Sequence, residues 1–203
     1  MVLSILTICG WSQTQVFSDD FSTNTNATFT TSGIIGSSSW NVLSGGSSGQ
    51  DFGARRNISP EQLELTNDAT ASSNVNGWVL ASTSTSSFLS PYNTTLGSNP
   101  GVVSWVFNMR QIRSDPAGLS SGSYGVAFVL AGEGATTSTT GKGYAIALGQ
   151  SGSTDPIRLI KFSSGLANST DIITSNTAGL TDFGANYLSI KVTFTPSTNT
   201  WEL

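Results

Sequence analysis

The stretch YLSIKVTF, residues 187–194, is the clearest strand pattern in the sequence, because apolar and polar side chains alternate along it at every second position. Successive side chains of a β-strand point to opposite faces, so a strand here separates the two sets. The apolar set comprises Leu188, Ile190, Val192 and Phe194. The polar set comprises Ser189, Lys191, Thr193 and, directly after the stretch, Thr195. The pattern predicts a strand with one buried face and one more solvent-exposed face.

Runs of strand length recur along the rest of the chain. They are VFSDDF (16–21), WNVLS (40–44), QLELTN (62–67), GVVSWVFNMRQI (101–112), SYGVAFVLA (123–131), GYAIALG (143–149) and IRLIKF (157–162). No segment of helical length repeats apolar residues at helical spacing without glycine or β-branched residues intruding. The connections are rich in Ser, Gly, Asn and Thr; we interpret 132–143 as a hairpin or rim loop and 44–61 as the longest irregular stretch. The sequence therefore predicts an all-β protein whose antiparallel sheets stack as a two-sheet sandwich.

The composition is that of a secreted β protein. Only 10% of the 203 residues are charged, whereas 34 are Ser and 26 are Thr, so solubility comes from hydroxyls and amides rather than from ions. The length favours one large domain over two small ones. The net charge is −4 and the cations form no basic stripe, which argues against a nucleic acid partner.

Two scarce residue types exclude whole classes of chemistry. Histidine is absent, which removes Ser-His-Asp and Cys-His catalysis and the commonest metal ligand. Cys9 is the single cysteine, so neither an intrachain disulfide nor a thiolate metal cluster is possible.

Both ends of the chain carry signals. The apolar start VLSILTICGW (2–11) predicts a signal peptide over 1–14, although no positive residue precedes it; the alternative is a buried strand. It is too short for a membrane span, which needs about 20 apolar residues. Residues 15–203 are then a single β-sandwich domain.

The C-terminal end of the sequence begins a further strand. Asn199 is predicted to turn the chain into this strand at Trp201, so we expect a domain truncated at its C-terminal end, from a longer protein.

The order of the strand patterns carries a family resemblance. From DDF through WVFNMR, YGVAFVLAG, GKGYAIALG and PIRLIKF to NYLSIKVTFTPSTNTWEL, residues 16–203 resemble the concanavalin A-like jelly roll, in the laminin-G-like version found in large secreted proteins of Bacteroidetes-type bacteria. The resemblance implies two large antiparallel sheets, one of them concave, an extracellular or cell-surface location and further domains in the same polypeptide. Members bind glycans or serve as adhesion and spacer modules, and some relatives are glycoside hydrolases.

The acidic residues do not match the hydrolase branch of that fold. Glycosidic hydrolysis usually needs two facing carboxyls, and that branch carries them as Glu-x-Asp-x-x-Glu on one strand, a string absent here. Glu61 and Glu64 are three residues apart and so predicted to lie on opposite strand faces. Glu133, between two glycines, is interpreted as a turn residue. The sequence thus favours a non-catalytic carbohydrate-binding or adhesion module; a glycoside hydrolase or lyase of the same fold and a spacer without its own ligand are the alternatives.

Glycan recognition generally combines an aromatic platform with hydrogen-bonding side chains. The candidate ligand-binding residues are Trp40, Trp78, Tyr92, Tyr124, Asn93, Arg110 and Arg158, with Asn41 and Asn76 nearby in sequence. For each aromatic the competing interpretation is a place in the core, which is the prediction for Trp105 and Trp201. Asp19 and Asp20 are the candidate ligands for a calcium ion, since Ca²⁺ prefers hard oxygen donors; a polar strand edge is the alternative.

Overall fold

The computed structural model describes residues 13–23, 28–46, 52–67, 77–112, 115–120, 122–134, 137, 139–175 and 186–203. Most of the predicted signal peptide, with Cys9, and also Asn76 lie outside the described residues. The described chain is all-β, as predicted. Its strands are β1 (Ser32–Ile35), β2 (Ser38–Gly46), β3 (Phe52–Ile58), β4 (Glu61–Asn67), β5 (Gly77–Ser82), β6 (Val103–Met109), β7 (Val126–Glu133), β8 (Lys142–Leu148), β9 (Ile157–Phe162), β10 (Ser169–Thr174), β11 (Leu188–Thr195) and β12 (Thr200–Glu202).

The strands form several antiparallel sheets, which confirms the predicted direction of pairing. Their orders are β1-β2-β5, β3-β4, β12-β11-β6 and β10-β9-β8-β7. Within the described ranges no sheet closes on itself, and none joins a strand of β1–β5 to a strand of β6–β12. The jelly-roll order of strands therefore stays a prediction.

The main core of the C-terminal half lies between two of these sheets. The side chains that form it come from β6 and β11 on one side and from β7, β8 and β9 on the other: Met109, Ile190, Val192, Leu130, Ile146, Leu148 and Leu159. The alternation predicted for β11 is confirmed, since Ile190 is 3% exposed and Val192 is fully buried, whereas Lys191 is exposed. Trp105 and Trp201 pack against this core with rings stacked at 5.8 Å, as predicted.

The sheet β10-β9-β8-β7 is covered on both faces at its central strands, β8 and β9. Ala145, Ala147, Ile160 and Phe162 form a second core cluster on the face opposite the main core. Leu119 and Leu166, from loops that flank the sheet, pack against them. Two buried faces explain why GYAIALG reads as a near-continuous apolar run rather than as a strict alternation.

The N-terminal half has a core of its own. Ile35, Val42 and Ala54 are fully buried there, and the partly buried side chains packed around them are Phe21, Phe29, Trp40, Leu63, Val79 and Ala81. These residues come from β1 to β5 and the segment before β1. Side-chain hydrogen bonds from this half to the C-terminal half include Gln13 to Ser104 at 3.1 Å and the Tyr187 hydroxyl to Gln62.

The structure corrects the predicted strand at residues 16–21. This segment has no regular secondary structure and Phe21 has a φ of 56°. The Asp19 carboxylate accepts a hydrogen bond from the Phe21 N–H, and the Asp20 carboxylate accepts one from the Ser22 N–H, both at 2.9 Å. Such local bonds from aspartate side chains compete with a strand ladder.

The predicted irregular stretch 44–61 is also wrong. Residues 44–46 end β2, and residues 52–58 form β3, which pairs with β4 in continuous register from Phe52 opposite Asn67 to Ile58 opposite Glu61. Two adjacent arginines and two glycine or alanine positions concealed the strand pattern. Arg56 is only 7% exposed, because polar partners inside the fold satisfy its guanidinium.

The connection between β7 and β8 is the predicted hairpin loop. It runs from Glu133 to Lys142, whose side chains pair across the hairpin with an oxygen to nitrogen distance of 2.9 Å. Asn199, with a φ of 53°, turns the chain from β11 into β12, as expected. Of the helices in the described ranges, none has the length and apolar character needed to cross a membrane.

Candidate functional site

A groove of about 470 Å³ lies beside the sheet β1-β2-β5. Its walls come from the segment 16–22, which we call the N-terminal strap, from the turn between β1 and β2, from β2 itself and from the end of β5 with the turn that follows. The lining residues are Phe17, Ser18, Ser37, Ser38, Ser39, Asn41, Ser82, Thr83, Ser84 and Ser87.

Hydroxyl groups dominate the walls because of how the strands are paired. Ser39 and Asn41 are two positions apart on β2 and exposed on the same face, while Val42 points to the core. Asn41 is opposite Ser82 on β5, so the two strands present their polar side chains together. Ser84 shapes the last wall, since its hydroxyl accepts a hydrogen bond from the Ser86 N–H and begins the short helical turn Thr85–Ser87.

The aromatic element of the groove is Phe17. Its ring stacks on Phe88 with centroids 4.9 Å apart, and Phe88 contacts Tyr92 at 5.1 Å. Phe17 also contacts Trp40 in a T-shaped arrangement, with ring centroids 6.4 Å apart. A ring held by two neighbouring rings loses little further freedom when a ligand packs against it, which favours binding.

Arg56 fixes the N-terminal strap to the body of the N-terminal half. Its guanidinium donates hydrogen bonds to the backbone carbonyls of Phe21 and Ser22 and to the Glu61 carboxylate. At the other end of the strap, the Leu89 N–H donates to the Val16 carbonyl at 3.0 Å. The strap holds Phe17 and Ser18 against the groove between these two anchor points.

Asp19 links the strap to the β1–β2 turn. Both of its carboxylate oxygens accept from the Ser37 N–H at 3.2 Å, directly beside the groove wall. Gly36, with a φ of 69°, allows this approach, because a Cβ there would lie 2.2 Å from an oxygen of Asp19. The carboxylate therefore holds the turn and the strap in one arrangement.

Asp19 and Asp20, the predicted calcium ligands, serve backbone N–H groups in this structure. The hydrogen bonds that Ser22 donates hold the pKa of the Asp20 carboxyl below its usual value. Across the part of the chain that the structure describes, no three Asp, Glu or Cys side chains are grouped as they would be to hold a metal ion. Each of the two carboxylates stabilises a local turn by accepting a hydrogen bond from the backbone N–H two residues later.

The structure brings some of the predicted residues to the groove and not others. Asn41 lines it, and Trp40 and Tyr92 support it as members of the aromatic row around Phe17. The Trp40 indole N–H donates to the Ile35 carbonyl at 3.1 Å. This hydrogen bond fixes the ring on the face of the sheet that packs against the N-terminal core. Burial raises the pKa of the Tyr92 phenol.

Two other candidates in the N-terminal half have local roles. The Asn93 side-chain oxygen accepts from the Thr95 N–H at 2.8 Å, and its backbone N–H donates to Asn99. Trp78 is 39% exposed on β5, opposite Gly45, and a Cβ at Gly45 would lie 3.0 Å from its indole nitrogen. Neither side chain lines the groove.

Three candidates lie in the C-terminal half, away from the groove lining. The guanidinium of Arg110 lies over the Tyr187 ring, 4.7 Å from its centroid. Arg158 pairs with Asp171 at 2.9 Å and donates to the Gly149 carbonyl at 2.7 Å, so it ties β10 and the residue after β8 to β9. The backbone carbonyl of Tyr124 accepts from the Gly118 N–H at 3.1 Å.

Glu61 and Glu64 are arranged as the sequence predicted, whereas Glu133, interpreted as a turn residue, is the last residue of β7. Glu61 pairs with Arg56 and Glu64 with Arg55, and these arginines are neighbours on β3, so the two carboxylates lie on opposite faces. Glu133 contributes to a second pocket, of about 480 Å³, beside the β7–β8 loop. It is the one carboxylate among the described lining residues of that pocket, and its partner there is Lys142.

The site residues that sequence reasoning missed are Phe17, Ser37, Ser38, Ser39, Ser82, Thr83, Ser84 and Ser87. The serine clusters SSS (37–39) and STSTSS (82–87) were a visible signal, but serine abounds throughout this chain, so the clusters did not stand out. Only the pairing of β2 with β5 brings them together. In comparisons with protein-family models, with curated proteins and with solved structures, the chain has no match.

Proposed function

We propose that the chain is a non-catalytic carbohydrate-binding or adhesion module that acts outside the cell or at its surface and binds glycans in the groove beside β1-β2-β5. The observation that carries the proposal is the lining itself: hydroxyls, one amide and one supported aromatic ring around a space of about 470 Å³. Ligand pockets commonly have about 300–1,000 Å³, with a few polar groups that orient the ligand.

The chemistry of the groove suits a sugar. Each serine or threonine hydroxyl can both donate and accept a hydrogen bond, and sugar hydroxyls require both. The Phe17 ring offers an apolar surface to the C–H groups of a sugar ring. Among the described residues, neither pocket contains the paired carboxylates that glycosidic hydrolysis uses, so binding without turnover is the expected behaviour.

The proposal includes the concanavalin A-like jelly roll as the parent architecture. Its support is the pair of antiparallel sheets, β12-β11-β6 and β10-β9-β8-β7, that share one core. Secretion is supported by the apolar start of the sequence and by its richness in Ser and Thr. Further domains of the same polypeptide would be the other partners of such a module.

The test is a glycan-array experiment on the whole chain, with a polysaccharide hydrolysis assay in parallel. We expect binding without turnover, and Phe17→Ala should weaken it at least about tenfold, a change of about 1.4 kcal/mol. Trp78→Ala is the matched control, because Trp78 is an exposed aromatic outside the groove. Loss of binding on chelation would support the calcium site predicted at Asp19 and Asp20.

Binding that survives Phe17→Ala but is lost in Trp78→Ala would place the site around Trp78 instead of in the groove. Silence of the folded protein on the array would overturn the proposed function in favour of a spacer. Release of reducing sugar would overturn it in favour of a hydrolase.

A further inference from the structure

The charge around the groove carries an inference about its ligand, and this inference rests on the proposed function. The described lining contains no lysine, arginine, aspartate or glutamate. Uronic acids, sialic acids and sulfated sugars carry anionic groups, which proteins ordinarily bind with charge-assisted hydrogen bonds from cations. The groove has hydroxyls and an amide to offer, and these match neutral sugar hydroxyls.

The nearest charges that the structure places on the groove segments are negative. Asp19 accepts hydrogen bonds from the N–H of Ser37, which is itself a lining residue. Asp20 follows it on the same strap and is held in its ionised form by Ser22. The Asp19 carboxylate, beside a described wall that contains no cation, repels an anionic ligand through Coulomb interaction, which is strongest at low salt.

Arg56 does not reverse this balance. Its guanidinium is buried, and it donates to the carbonyls of Phe21 and Ser22 and to Glu61. Its positive charge is thus engaged by the strap carbonyls and Glu61, and Arg56 is not among the described lining residues. Arg56 therefore anchors the N-terminal strap and offers no positive charge among the described lining residues.

We propose that the groove selects neutral glycans and rejects anionic ones, with Phe17 packing against a sugar ring and the serines of β1–β2 and β5 bonding its hydroxyls. Selectivity of this kind combines attraction of one ligand with repulsion of its competitor. The hydroxyls of Ser38 and Ser39 make no hydrogen bond to another residue of the described chain, which leaves them available to a ligand.

The experiment compares neutral and uronic oligosaccharides of equal length and linkage, for example oligogalactosides and oligogalacturonides, by titration calorimetry with the whole chain. We expect the neutral ligand to bind at least tenfold more tightly at low salt and the difference to shrink as salt is raised. Equal or tighter binding of the uronic ligand in the unmodified chain would overturn the selectivity while leaving glycan binding intact.

Two charge-matched variants sharpen the result. Ser39→Lys places an ammonium in the groove wall and should shift the preference towards the uronic ligand. Ser189→Lys adds the same charge to the exposed face of β11 and should leave the preference unchanged. An equal shift in both variants would show that net charge, rather than the groove, sets the selectivity. If neither ligand class binds the folded protein, the proposed function itself fails.

Discussion

At the scale of single residues, Arg56 is the side chain on which most of the site depends. It is buried on β3, and its hydrogen bonds connect this strand to Glu61 at the start of β4 and to the N-terminal strap. A buried acceptor left without its donor costs about 1–3 kcal/mol. Its neighbour Arg55 forms a partly exposed pair with Glu64 at 3.4 Å, a kind of pair worth about 0–1 kcal/mol.

We therefore expect Arg56→Met to lower the free energy of unfolding by about 1–3 kcal/mol, since the half-buried Phe21 carbonyl loses its donor and Glu61 its ion-pair partner. Arg55→Met is the matched control and should cost less than about 1 kcal/mol. Urea denaturation of both variants measures the difference. Equal effects would mean that the strap is not held by the guanidinium.

The partly buried phenol of Tyr92 predicts that the stability of the protein falls as the pH rises in the alkaline range. Burial raises its pKa in the folded state, so the unfolded chain loses this proton first as the pH rises. The neutral phenol therefore contributes stability that is complete below the ordinary tyrosine pKa of about 10 and is lost as pH rises through the folded pKa.

In Tyr92→Phe this loss should disappear, so the stability of the variant should fall less steeply above about pH 10 than that of the parent. Thermal denaturation across the alkaline range measures it, and Tyr187→Phe, which alters a more exposed phenol, serves as the control. Parallel curves for parent and Tyr92→Phe would contradict a buried phenol at this position.

At the scale of elements, β11 shows how a simple alternation sets the energetics of a sheet. Ile190 faces the shared core, and its neighbour Lys191 lies on the exposed face opposite Val106. Removing buried methylene groups costs both transfer free energy and the energy of the cavity left behind. Substitutions on the exposed face have neither cost.

Ile190→Ala is expected to lower the free energy of unfolding by about 2–5 kcal/mol. Lys191→Ala, one residue away on the same strand, should change it by no more than about 0.5 kcal/mol. Chemical denaturation of the two variants measures the contrast. A mild effect of Ile190→Ala would indicate that the sheets can collapse into the space.

The elements also show what alternation alone can predict. β4, β6 and β11 were found because one apolar face meets one polar face, and β8 and β9 because short apolar runs mark strands buried on both sides. β3 was missed because its inward Arg56 is satisfied by partners remote in sequence. The segment 16–21 was misassigned because side-chain bonds of Asp19 and Asp20 replace strand pairing there.

At the scale of the whole molecule, the two halves are built around separate cores. The clusters around Val42 and around Leu159 have no member in common, and the described sheets do not cross between halves. Local openings follow such cooperative units. The groove belongs to the N-terminal half, which explains why candidate residues from the C-terminal half, such as Arg158, do not reach it.

We expect Val42→Ala to accelerate amide hydrogen exchange in β1, β2 and β5 while β7 to β10 keep their protection. Leu159→Ala should have the reverse effect. Hydrogen-exchange mass spectrometry resolves the two sets of peptides. Uniform acceleration in either variant would show that the halves unfold as one unit.

The residue types of the proposed site were indicated by the sequence, but its position was not. Aromatic and amide residues pointed to Trp40, Tyr92 and Asn41, because residue type alone indicates sugar-binding chemistry. The position of the groove depends on contacts between the strap, β2 and the turn after β5, segments up to seventy residues apart. Local pattern holds no information on such contacts.

The contact between Asp19 and Gly36 has a consequence for how this sequence can vary. Any side chain at position 36 would collide with the carboxylate of residue 19, and the backbone there adopts a conformation that L side chains rarely take. An exchange at position 36 therefore displaces the carboxylate of residue 19, and an exchange at position 19 leaves the Ser37 N–H without this acceptor. We expect natural variants to change positions 19 and 36 together or not at all, so that this pair would record, in sequence alone, which homologues keep the groove.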